Sequence, residues 1–323
     1  MNSLKWTLPL ALSAACAFAQ EDPHAPPLKV PPDVVVTENV EMGRGGDKIL
    51  HADVYQPKNP SSTARPAVIF IHGGGWSTGS YKGGSSKPYL AQHGYVAVSI
   101  EYRLSNVAPW PAQLDDCKMA VRWLRSNAVK YGVDPNHIAA WGGSAGAHLA
   151  CFLGTTGNQP QLEGLGGYAG VSSQVQAVVD NSGPVEFTTG SEGLKGSTPT
   201  QDSPMLITLF GGSFADKSDI YKQGSPITYV KAGDPPFLVI HGDQDRSVPI
   251  EQARKMVAAL KAAHVPVEYI VIHNGGHGGK SMPGFPSPAP TEKEINRQAL
   301  AFLDHYFKGG SPASSTPGKE PGI

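Results

Sequence analysis

The chain has few cysteines: three among 323 residues, at Cys16, Cys117 and Cys151. A scaffold held together by disulfides needs more cysteines, usually in a much shorter chain. Cys117 and Cys151 both lie in predicted helices, where cysteine commonly serves as a small buried side chain. We therefore expect two free thiols there, although an exported chain leaves a disulfide between them open. No cysteine pair has zinc-ligand spacing, and we expect neither a metal nor another cofactor.

The chain also lacks an excess of charge and a long hydrophobic run. Its formal charge is −1, from 26 Lys and Arg against 27 Asp and Glu. Surfaces that bind nucleic acid or anionic membranes carry clustered Lys and Arg, so the sequence argues against both kinds of partner. No apolar run reaches the roughly 20 residues that span a bilayer, and we expect no transmembrane segment. Nothing in the sequence indicates the oligomeric state.

The first residues have the layout of a secretory signal. Lys5 precedes an apolar stretch over residues 6–15, and Ala17-Phe18-Ala19 then supplies a small-x-small cleavage site. We interpret residues 1–19 as a signal peptide. The sequence therefore predicts a secreted or periplasmic protein.

Lipidation at Cys16 is a less favoured alternative, because Ser13 stands where a lipoprotein signal has a larger aliphatic residue. After the signal, residues 20–33 form a proline-rich leader. At the other end, residues 309–323 are rich in Gly, Ser and Pro, and we expect a disordered tail. One folded domain is predicted between them, over residues 34–308.

Within that domain, short apolar runs alternate with segments of helical periodicity. Eight strands are predicted, over residues 34–40, 49–55, 67–72, 96–101, 137–141, 175–180, 237–241 and 267–273. From residue 67 onward the runs lack polar alternation, as expected for strands buried on both faces of a parallel sheet. A helix that begins at Pro111 is one of the connecting elements. The pattern predicts a doubly wound α/β fold, with a mostly parallel eight-stranded sheet and helices on both faces.

Residues 183–232 do not fit the alternation. Fifty residues are too many for a bare loop, so we expect a small helical cap insertion over the carboxyl edge of the sheet. The segment contains isolated aromatic residues, namely Phe187, Phe210, Phe214 and Tyr221. These side chains either form the core of the cap or line a substrate pocket at this edge.

A Gly-x-Ser-x-Gly pattern is centred on Ser144, where an apolar strand meets a helical run. A serine on such a sharp turn needs flanking glycines, because the backbone bends too tightly for a Cβ. The turn lifts the hydroxyl clear of the sheet. Ser144 is therefore the candidate nucleophile, although the pattern alone has little specificity.

A serine nucleophile needs a base and an acid that orients the base, and both are predicted after later strands. The strand over residues 237–241 leads into Asp243 and Asp245, and the next strand leads into His277. We assign His277 as the base and Asp245 as the acid, since Asp243 directly follows its strand and suits turn formation. His241 and His273 lie in or at the ends of strands and are interpreted as structural.

A run of three glycines, Gly73-Gly74-Gly75, follows the strand that ends near His72. Consecutive glycines expose backbone N–H groups without side-chain shielding. A flexible turn is the simpler interpretation. The functional one is an oxyanion hole formed by the amides of Gly73, Gly74 and Ala145, with His72 bracing the loop.

These motifs together resemble an α/β-hydrolase serine esterase. The resemblance is to the bifunctional feruloyl and acetylxylan esterase-like branch, near the hormone-sensitive-lipase group, and covers roughly residues 34–307. It is carried by His72-Gly73-Gly74-Gly75-Trp76, Tyr102-Arg103-Leu104, Trp141-Gly142-Gly143-Ser144-Ala145-Gly146, His241-Gly242-Asp243-Gln244-Asp245 and Gly276-His277-Gly278. It implies a triad of Ser144, Asp245 and His277, the oxyanion hole named above, and structural roles for Tyr102-Arg103 and Asp116. The lipase group usually has a large N-terminal cap, which is not expected here.

The predicted function is that of a secreted serine carboxylic-ester hydrolase. Its candidate substrates are acetyl or feruloyl esters linked to plant polysaccharide, and small-molecule esters. Two alternatives remain open. A prolyl-oligopeptidase-type peptidase shares the turn that contains Asp245, but carries an N-terminal propeller for which this chain has too few residues. A non-catalytic binding protein on the same scaffold typically loses one member of the triad, and all three are present here.

Overall fold

The computed structural model describes residues 30–309, apart from residues 83, 85, 158, 165 and 190–202. The predicted signal peptide, most of the leader, part of the predicted cap and nearly all of the tail therefore lie outside the described residues. The first described strand begins at Val34. The last helix ends at Lys308 and is capped by Gly309 in the left-handed conformation.

Among the described residues, eight strands form a single sheet, as predicted. They are β1 (Val34–Gly45), β2 (Lys48–Pro57), β3 (Arg65–Ile71), β4 (Val96–Ile100), β5 (Val133–Gly143), β6 (Ala177–Asn181), β7 (Phe237–Gly242) and β8 (Val267–Ile272). Their order across the sheet is β1-β2-β4-β3-β5-β6-β7-β8. The pairs from β4 to β8 are parallel, whereas β1 and β2 pair antiparallel with each other and β2 pairs antiparallel with β4. The prediction of a mostly parallel sheet is confirmed.

Several predicted strand ends were wrong. β1 continues to Gly45 rather than ending at residue 40, because register shifts against β2 interrupt its pattern. β5 begins at Val133, four residues early, where it pairs with Arg65 of β3. β6 begins at Ala177 rather than residue 175. Pairing partners far along the chain set these ends, and local periodicity does not contain them.

In the part of the chain that the structure describes, eight helices connect the strands and cover the sheet. They are α1 (Ser86–Gln92), α2 (Ala112–Ser126), α3 (Ala128–Tyr131), α4 (Ala145–Thr155), α5 (Pro204–Phe210), α6 (Phe214–Gln223), α7 (Glu251–Ala262) and α8 (Glu292–Lys308). The buried side chains of α2, α3, α4 and α7 form one apolar core against the sheet, and those of α1 and α8 form a second. Alternate residues of β5 enter the two cores: Ile138 and Ala140 face the first, Ala139 and Trp141 the second. Helices therefore lie on both faces, as predicted.

Two further expectations concern α2 and the cysteines. α2 begins at Ala112, so Pro111 is the residue before the helix and not its first residue. Cys117 and Cys151 are both free and buried, on α2 and α4. Burial raises the pKa of both thiols well above its ordinary value, so neither side chain is a reactive thiolate.

The cap segment (residues 183–232) carries α5, α6 and a 3₁₀ turn over Pro226–Tyr229. Its aromatic side chains pack on one another: the ring centroids of Phe187 and Phe210 are 5.4 Å apart, and those of Phe210 and Tyr221 are 4.4 Å apart. All three of these residues are buried. They belong to the apolar core that also contains Trp76 and Phe152, so their burial favours the packing interpretation over the lining of a pocket.

No described helix combines the length and the apolar character needed to cross a bilayer.

Candidate active site

Ser144 lies on the turn between β5 and α4 in a strained backbone conformation. Its φ is 55° and its ψ is −121°, a region that residues with a side chain rarely occupy. The Ser144 amide donates to the carbonyl oxygen of Asn181, the last residue of β6, at 2.9 Å. The neighbouring strand therefore holds the turn in place and keeps the serine at the carboxyl edge of the sheet.

Two of the glycines near Ser144 are required by close packing. A Cβ on Gly142 would overlap the backbone of Gly146, and a Cβ on Gly146 would overlap the carbonyl oxygen of Ile71. Gly143, by contrast, has nothing within 4 Å of the position of its missing Cβ. The first and last glycines of the Gly-x-Ser-x-Gly pattern thus allow α4 to begin directly against β3.

The glycine loop that follows β3 lies beside Ser144. A Cβ on Gly73 would lie 3.3 Å from the Ser144 Cβ and 2.9 Å from the Gly143 carbonyl oxygen. Gly74 has a φ of +102°, and a Cβ there would overlap the Thr78 carbonyl. Only glycine fits at both positions, so the loop backbone approaches the serine without intervening side chains.

Hydrogen bonds to the loop carbonyls fix the direction of its amides. The Gly73 carbonyl accepts from His72 Nδ1 at 2.8 Å, and the Gly74 carbonyl accepts from the Thr78 amide at 3.0 Å. In a trans peptide, C=O and N–H point in opposite directions. Binding the Gly73 carbonyl on one side therefore turns the Gly74 N–H to the other. Ala145 is the first residue of α4, and its N–H has no acceptor within the helix.

His72 braces this loop, as expected from the sequence. Its ring stacks on Tyr102 with centroids 4.2 Å apart, and the Tyr102 hydroxyl donates to the His72 carbonyl at 3.0 Å. Burial lowers the pKa of His72 to about 4. The ring is therefore neutral at physiological pH and acts as a donor to Gly73.

Asp245 lies in the turn after β7, where both oxygens of its carboxylate accept hydrogen bonds. Oδ1 accepts from the amides of Ser247 and Val248 at 2.8 and 2.9 Å, and Oδ2 accepts from His277 Nδ1 at 2.8 Å. Burial alone raises the pKa of this carboxyl, but the bonds from His241 and His277 outweigh it and hold the pKa well below its ordinary value. Asp245 is thus a fixed buried anion.

His277 opens the turn after β8, with 21% of its side chain exposed. Its Nδ1 faces the Asp245 anion and so carries the hydrogen, which assigns the acceptor role in this tautomer to Nε2. The Gly278 amide next to it donates to the Ser182 hydroxyl at 3.3 Å. Asn181 and Ser182 thus connect the serine turn on one side with the histidine turn on the other.

The structure adds two residues that the sequence interpretation did not place in the site. His241 Nε2 lies 3.3 Å from Asp245 Oδ2 and 2.8 Å from the Val248 carbonyl. Asp180, at the end of β6, is buried, and its Oδ2 has no hydrogen-bond partner among the described residues. Burial raises the pKa of Asp180 to about 6. The only sequence signal for His241 was its position at the end of the strand that precedes Asp245. From the sequence alone, this histidine is interpreted as structural.

Asp243 and His273 belong to the turns and lie apart from this arrangement. Asp243 Oδ1 accepts from the Asn274 amide at 2.8 Å, and its Oδ2 lies 3.2 Å from His273 Nδ1. His273 and His277 are four residues apart, the spacing of a helical zinc-ligand pair, but they lie in a turn and bind different carboxylates. Among the described residues, no three His, Cys, Asp or Glu side chains are grouped to hold a metal ion.

The BD-FAE family model matches residues 52–260. The chain belongs to the BD-FAE family. The matched segment contains the glycine loop, Ser144 and Asp245, whereas His277 lies beyond it. The resemblance to α/β-hydrolase esterases drawn from the sequence motifs is thereby confirmed.

Relatives and solved structures of similar fold carry esterase names. Esterase LipC of Mycobacterium tuberculosis strain ATCC 25618 / H37Rv is 33% identical over 248 residues, which are 74% of this chain and 59% of the relative. A truncated carbohydrate esterase from gut microbiota has a TM-score of 0.73 and 29% identity, over 85% of this chain and 96% of that one. An acetyl ester-xyloside bifunctional hydrolase from Caldicellulosiruptor lactoaceticus has a TM-score of 0.63 and 25% identity, over 80% of this chain and 89% of that one.

The chain spans little more than half the length of the curated relatives it matches, for example 59% of LipC. The solved carbohydrate esterase, by contrast, is covered almost completely. The α/β-hydrolase fold is therefore shared with a known esterase over 85% of this chain.

Proposed function

We propose that this protein is a serine carboxylic-ester hydrolase with Ser144 as nucleophile, His277 as base and Asp245 as the orienting acid. The observation that carries the proposal is the 2.8 Å bond between His277 Nδ1 and Asp245 Oδ2, on turns at the same sheet edge as Ser144. This bond sets the tautomer that leaves Nε2 able to accept a proton. Family membership and the esterase names of relatives support the same activity.

In the acylation step, His277 Nε2 takes the proton of the Ser144 hydroxyl while the serine oxygen attacks the ester carbonyl carbon. The carbonyl oxygen becomes an oxyanion, which the amides of Gly73, Gly74 and Ala145 stabilise. Each such donor contributes about 2.7–4 kcal/mol to lowering the barrier. The C–O bond to the alcohol then breaks, the His277 proton moves to the leaving oxygen, and the acyl group stays on Ser144.

Deacylation repeats these steps with water. His277 Nε2 takes a proton from water, the hydroxide attacks the acyl carbon, and the proton returns to the Ser144 oxygen as the carboxylic acid leaves. Asp245 remains ionised throughout, because four donors surround it and its pKa lies well below the ordinary range. Its fixed charge stabilises the imidazolium that forms in each half-reaction.

Replacement of Ser144 by Ala tests the assignment. We expect kcat on a short-chain nitrophenyl ester to fall by about 10⁴- to 10⁶-fold, because the nucleophile is removed. A fluorophosphonate should label the wild-type protein and leave the variant unlabelled. The circular dichroism spectrum should be unchanged, since alanine retains the Cβ. Equal labelling of both proteins would contradict the role of Ser144.

For the substrate, we infer acetyl or feruloyl esters attached to plant polysaccharide. The support is the similarity to a carbohydrate esterase and to an acetyl ester-xyloside hydrolase, together with the predicted export signal. Release of acetate from acetylated xylan and of ferulate from feruloylated oligosaccharides measures this directly. Activity confined to simple short-chain esters would contradict it.

We also infer export of the protein, with cleavage after Ala19. The basis is the signal layout over residues 1–19 of the sequence. Expression of the full chain in a bacterium, followed by N-terminal sequencing of the periplasmic or secreted form, should give a chain beginning at Gln20. A protein that stays in the cytoplasm with Met1 retained would contradict the inference.

A further inference from the structure

His148 lies one helical turn after Ser144, buried completely on α4. Its amide donates to the Ser144 carbonyl at 3.1 Å, as α-helical geometry requires. The imidazole bonds to two other parts of the chain. Nδ1 lies 3.1 Å from the indole Nε1 of Trp76, and Nε2 lies 2.8 Å from the Gly224 carbonyl. One side chain thus touches the glycine loop and the cap segment.

These two partners require a single protonation state. An indole N–H can only donate and a carbonyl can only accept, so Nδ1 must be bare and Nε2 must carry the hydrogen. Protonation would place an Nδ1–H against the indole N–H and break that bond. Burial lowers the pKa of His148 to about 4, and no charged side chain among the described residues contributes to the shift. The neutral ring is therefore maintained under ordinary conditions.

The surroundings of the ring are aromatic. The rings of Trp110, Phe152 and Phe187 have centroids 5.5, 5.0 and 5.4 Å from that of His148. Among the described residues, the imidazole hydrogen-bonds to Trp76 and Gly224 alone. The bonds to Trp76 and Gly224 consequently determine the orientation of the ring.

Trp76 is the residue at which the glycine loop is anchored. It is buried, with a φ of 57° that a large side chain rarely adopts. Its carbonyl accepts from the Ser105 amide at 2.7 Å. Only Gly75 separates Trp76 from Gly74, whose amide is one of the proposed oxyanion donors. A consecutive run of glycines has little stiffness of its own, so the anchor at its end limits where those amides can lie.

We propose that His148 is a positioning residue for the oxyanion donors. As a neutral acceptor it holds the Trp76 indole, and through it the Gly73 and Gly74 amides beside Ser144, while its second nitrogen ties the same assembly to the cap segment at Gly224. The inference rests on the proposed hydrolase function. It assigns to α4 a second task besides presenting the nucleophile.

Two amide replacements separate the two bonds. His148→Asn keeps a polar atom at the position of Nδ1 and can still accept the Trp76 indole, but it does not reach Gly224. His148→Gln keeps a donor at the position of Nε2 and can reach Gly224, but it offers nothing to Trp76. We expect His148→Gln to lower kcat by about ten- to a hundred-fold with KM within about twofold. His148→Asn should retain kcat within about threefold.

Trp76→Phe removes the indole donor from the other side of the same bond. It should lower kcat as much as His148→Gln does. The double variant with both replacements should show no greater loss of kcat than either single variant, because all three lack the same hydrogen bond between residues 76 and 148. Equal losses in His148→Asn and His148→Gln would overturn the proposal. So would kcat losses that follow each variant's fall in melting temperature, since that is the signature of a merely structural role.

A readout independent of activity is the indole N–H resonance of Trp76 in ¹⁵N-tryptophan-labelled protein, assigned with Trp76→Phe. It should move in His148→Gln, stay in place in His148→Asn, and in the wild type shift reversibly as the pH falls through about 4. If the wild type is active but the Trp76 resonance does not move in His148→Gln, this inference alone is overturned. A wild type that hydrolyses no ester and reacts with no fluorophosphonate overturns the proposed function instead.

Discussion

At the residue scale, the serine turn depends on where a single methyl group can be accommodated. A Cβ added to Gly142 or Gly146 would overlap backbone atoms, whereas a Cβ added to Gly143 would have nothing within 4 Å. Glycines that look equivalent in the sequence therefore have different physical reasons to be there. The unfavourable φ of 55° at Ser144 is held in place by the close packing of α4 against β3.

Gly146→Ala and Gly143→Ala should consequently behave differently. We expect Gly146→Ala to lower the free energy of unfolding by about 1–3 kcal/mol or more, because its Cβ must displace the Ile71 carbonyl. Gly143→Ala should be neutral or stabilising by about 0.4–1 kcal/mol, since alanine restricts the unfolded chain in a conformation it tolerates. Urea unfolding of the two variants measures both values, and a destabilised Gly143→Ala with an unaffected Gly146→Ala would refute the packing argument.

The same scale shows which site residues a sequence can reveal. Asp245 lies in the turn after β7 and His277 in the turn after β8. Because the carboxyl ends of parallel strands meet at one edge of the sheet, their proximity was predictable. His148 was not, because its partners Trp76 and Gly224 lie 72 and 76 residues away. Nor was the contact of His241 with Asp245, since a histidine at a strand end looks structural until the following turn is known.

At the scale of elements, α2 is fixed to the segment after β4 by a buried ion pair. The Arg103 guanidinium binds both carboxylate oxygens of Asp116, and the Arg103 amide donates to the same group at 2.8 Å. Asp116 is almost completely buried. Its burial raises the pKa of the carboxyl more than Arg103 lowers it, so the pair depends on both partners being present. This supports the structural roles inferred for Tyr102-Arg103 and Asp116.

Removing one partner of the Arg103–Asp116 pair should lower the free energy of unfolding by more than the intact pair contributes to it. Asp116→Ala leaves a guanidinium without its anion in a site that is largely closed to water, and we expect a loss of about 3–5 kcal/mol in the free energy of unfolding. Lys48→Ala, which breaks a half-exposed pair with Glu101, serves as the control and should lose no more than about 1 kcal/mol. Similar losses in both variants would contradict the burial argument.

Most of the helices and strands of the fold could be predicted from the sequence. Apolar runs without polar alternation predicted the parallel strands, because strands covered by helices on both faces have no solvent side. The ends of β1 and β5 were not readable, since bulges and partners distant in sequence determine them. The packing of Phe187, Phe210 and Tyr221 within the cap likewise required coordinates.

At the scale of the whole molecule, buried titratable groups make the free energy of unfolding depend on pH. The buried histidines and the buried carboxyl of Asp180 change it in opposite directions. His72 and His148 have pKa values lowered to about 4 by burial, so between about pH 6.5 and 4 the unfolded chain binds protons there that the native state does not. Both therefore destabilise the fold as pH falls. Asp180, with a pKa raised to about 6, takes up its proton in the native state first and offsets part of that loss.

The contribution of these three groups to the free energy of unfolding should accordingly decrease from pH 7 to pH 4.5, because the two histidines outweigh Asp180. Urea titrations at half-unit pH intervals measure the slope. Asp180→Asn removes the opposing group and should make the slope steeper by up to about 1.4 kcal/mol per pH unit. A stability that stays level or rises on acidification would contradict the assignment of neutral buried histidines.

The order in which the reactive groups occur along the chain has a consequence for biosynthesis. Ser144 lies on the turn after β5, Asp245 on the turn after β7, and His277 on the turn after β8. A nascent polypeptide emerging from the ribosome holds a hydroxyl without its base until nearly the whole sheet has been translated. Under the proposed mechanism, all three groups of the triad are therefore present only after the last strand has been translated, and a shorter nascent chain lacks the base that Ser144 needs.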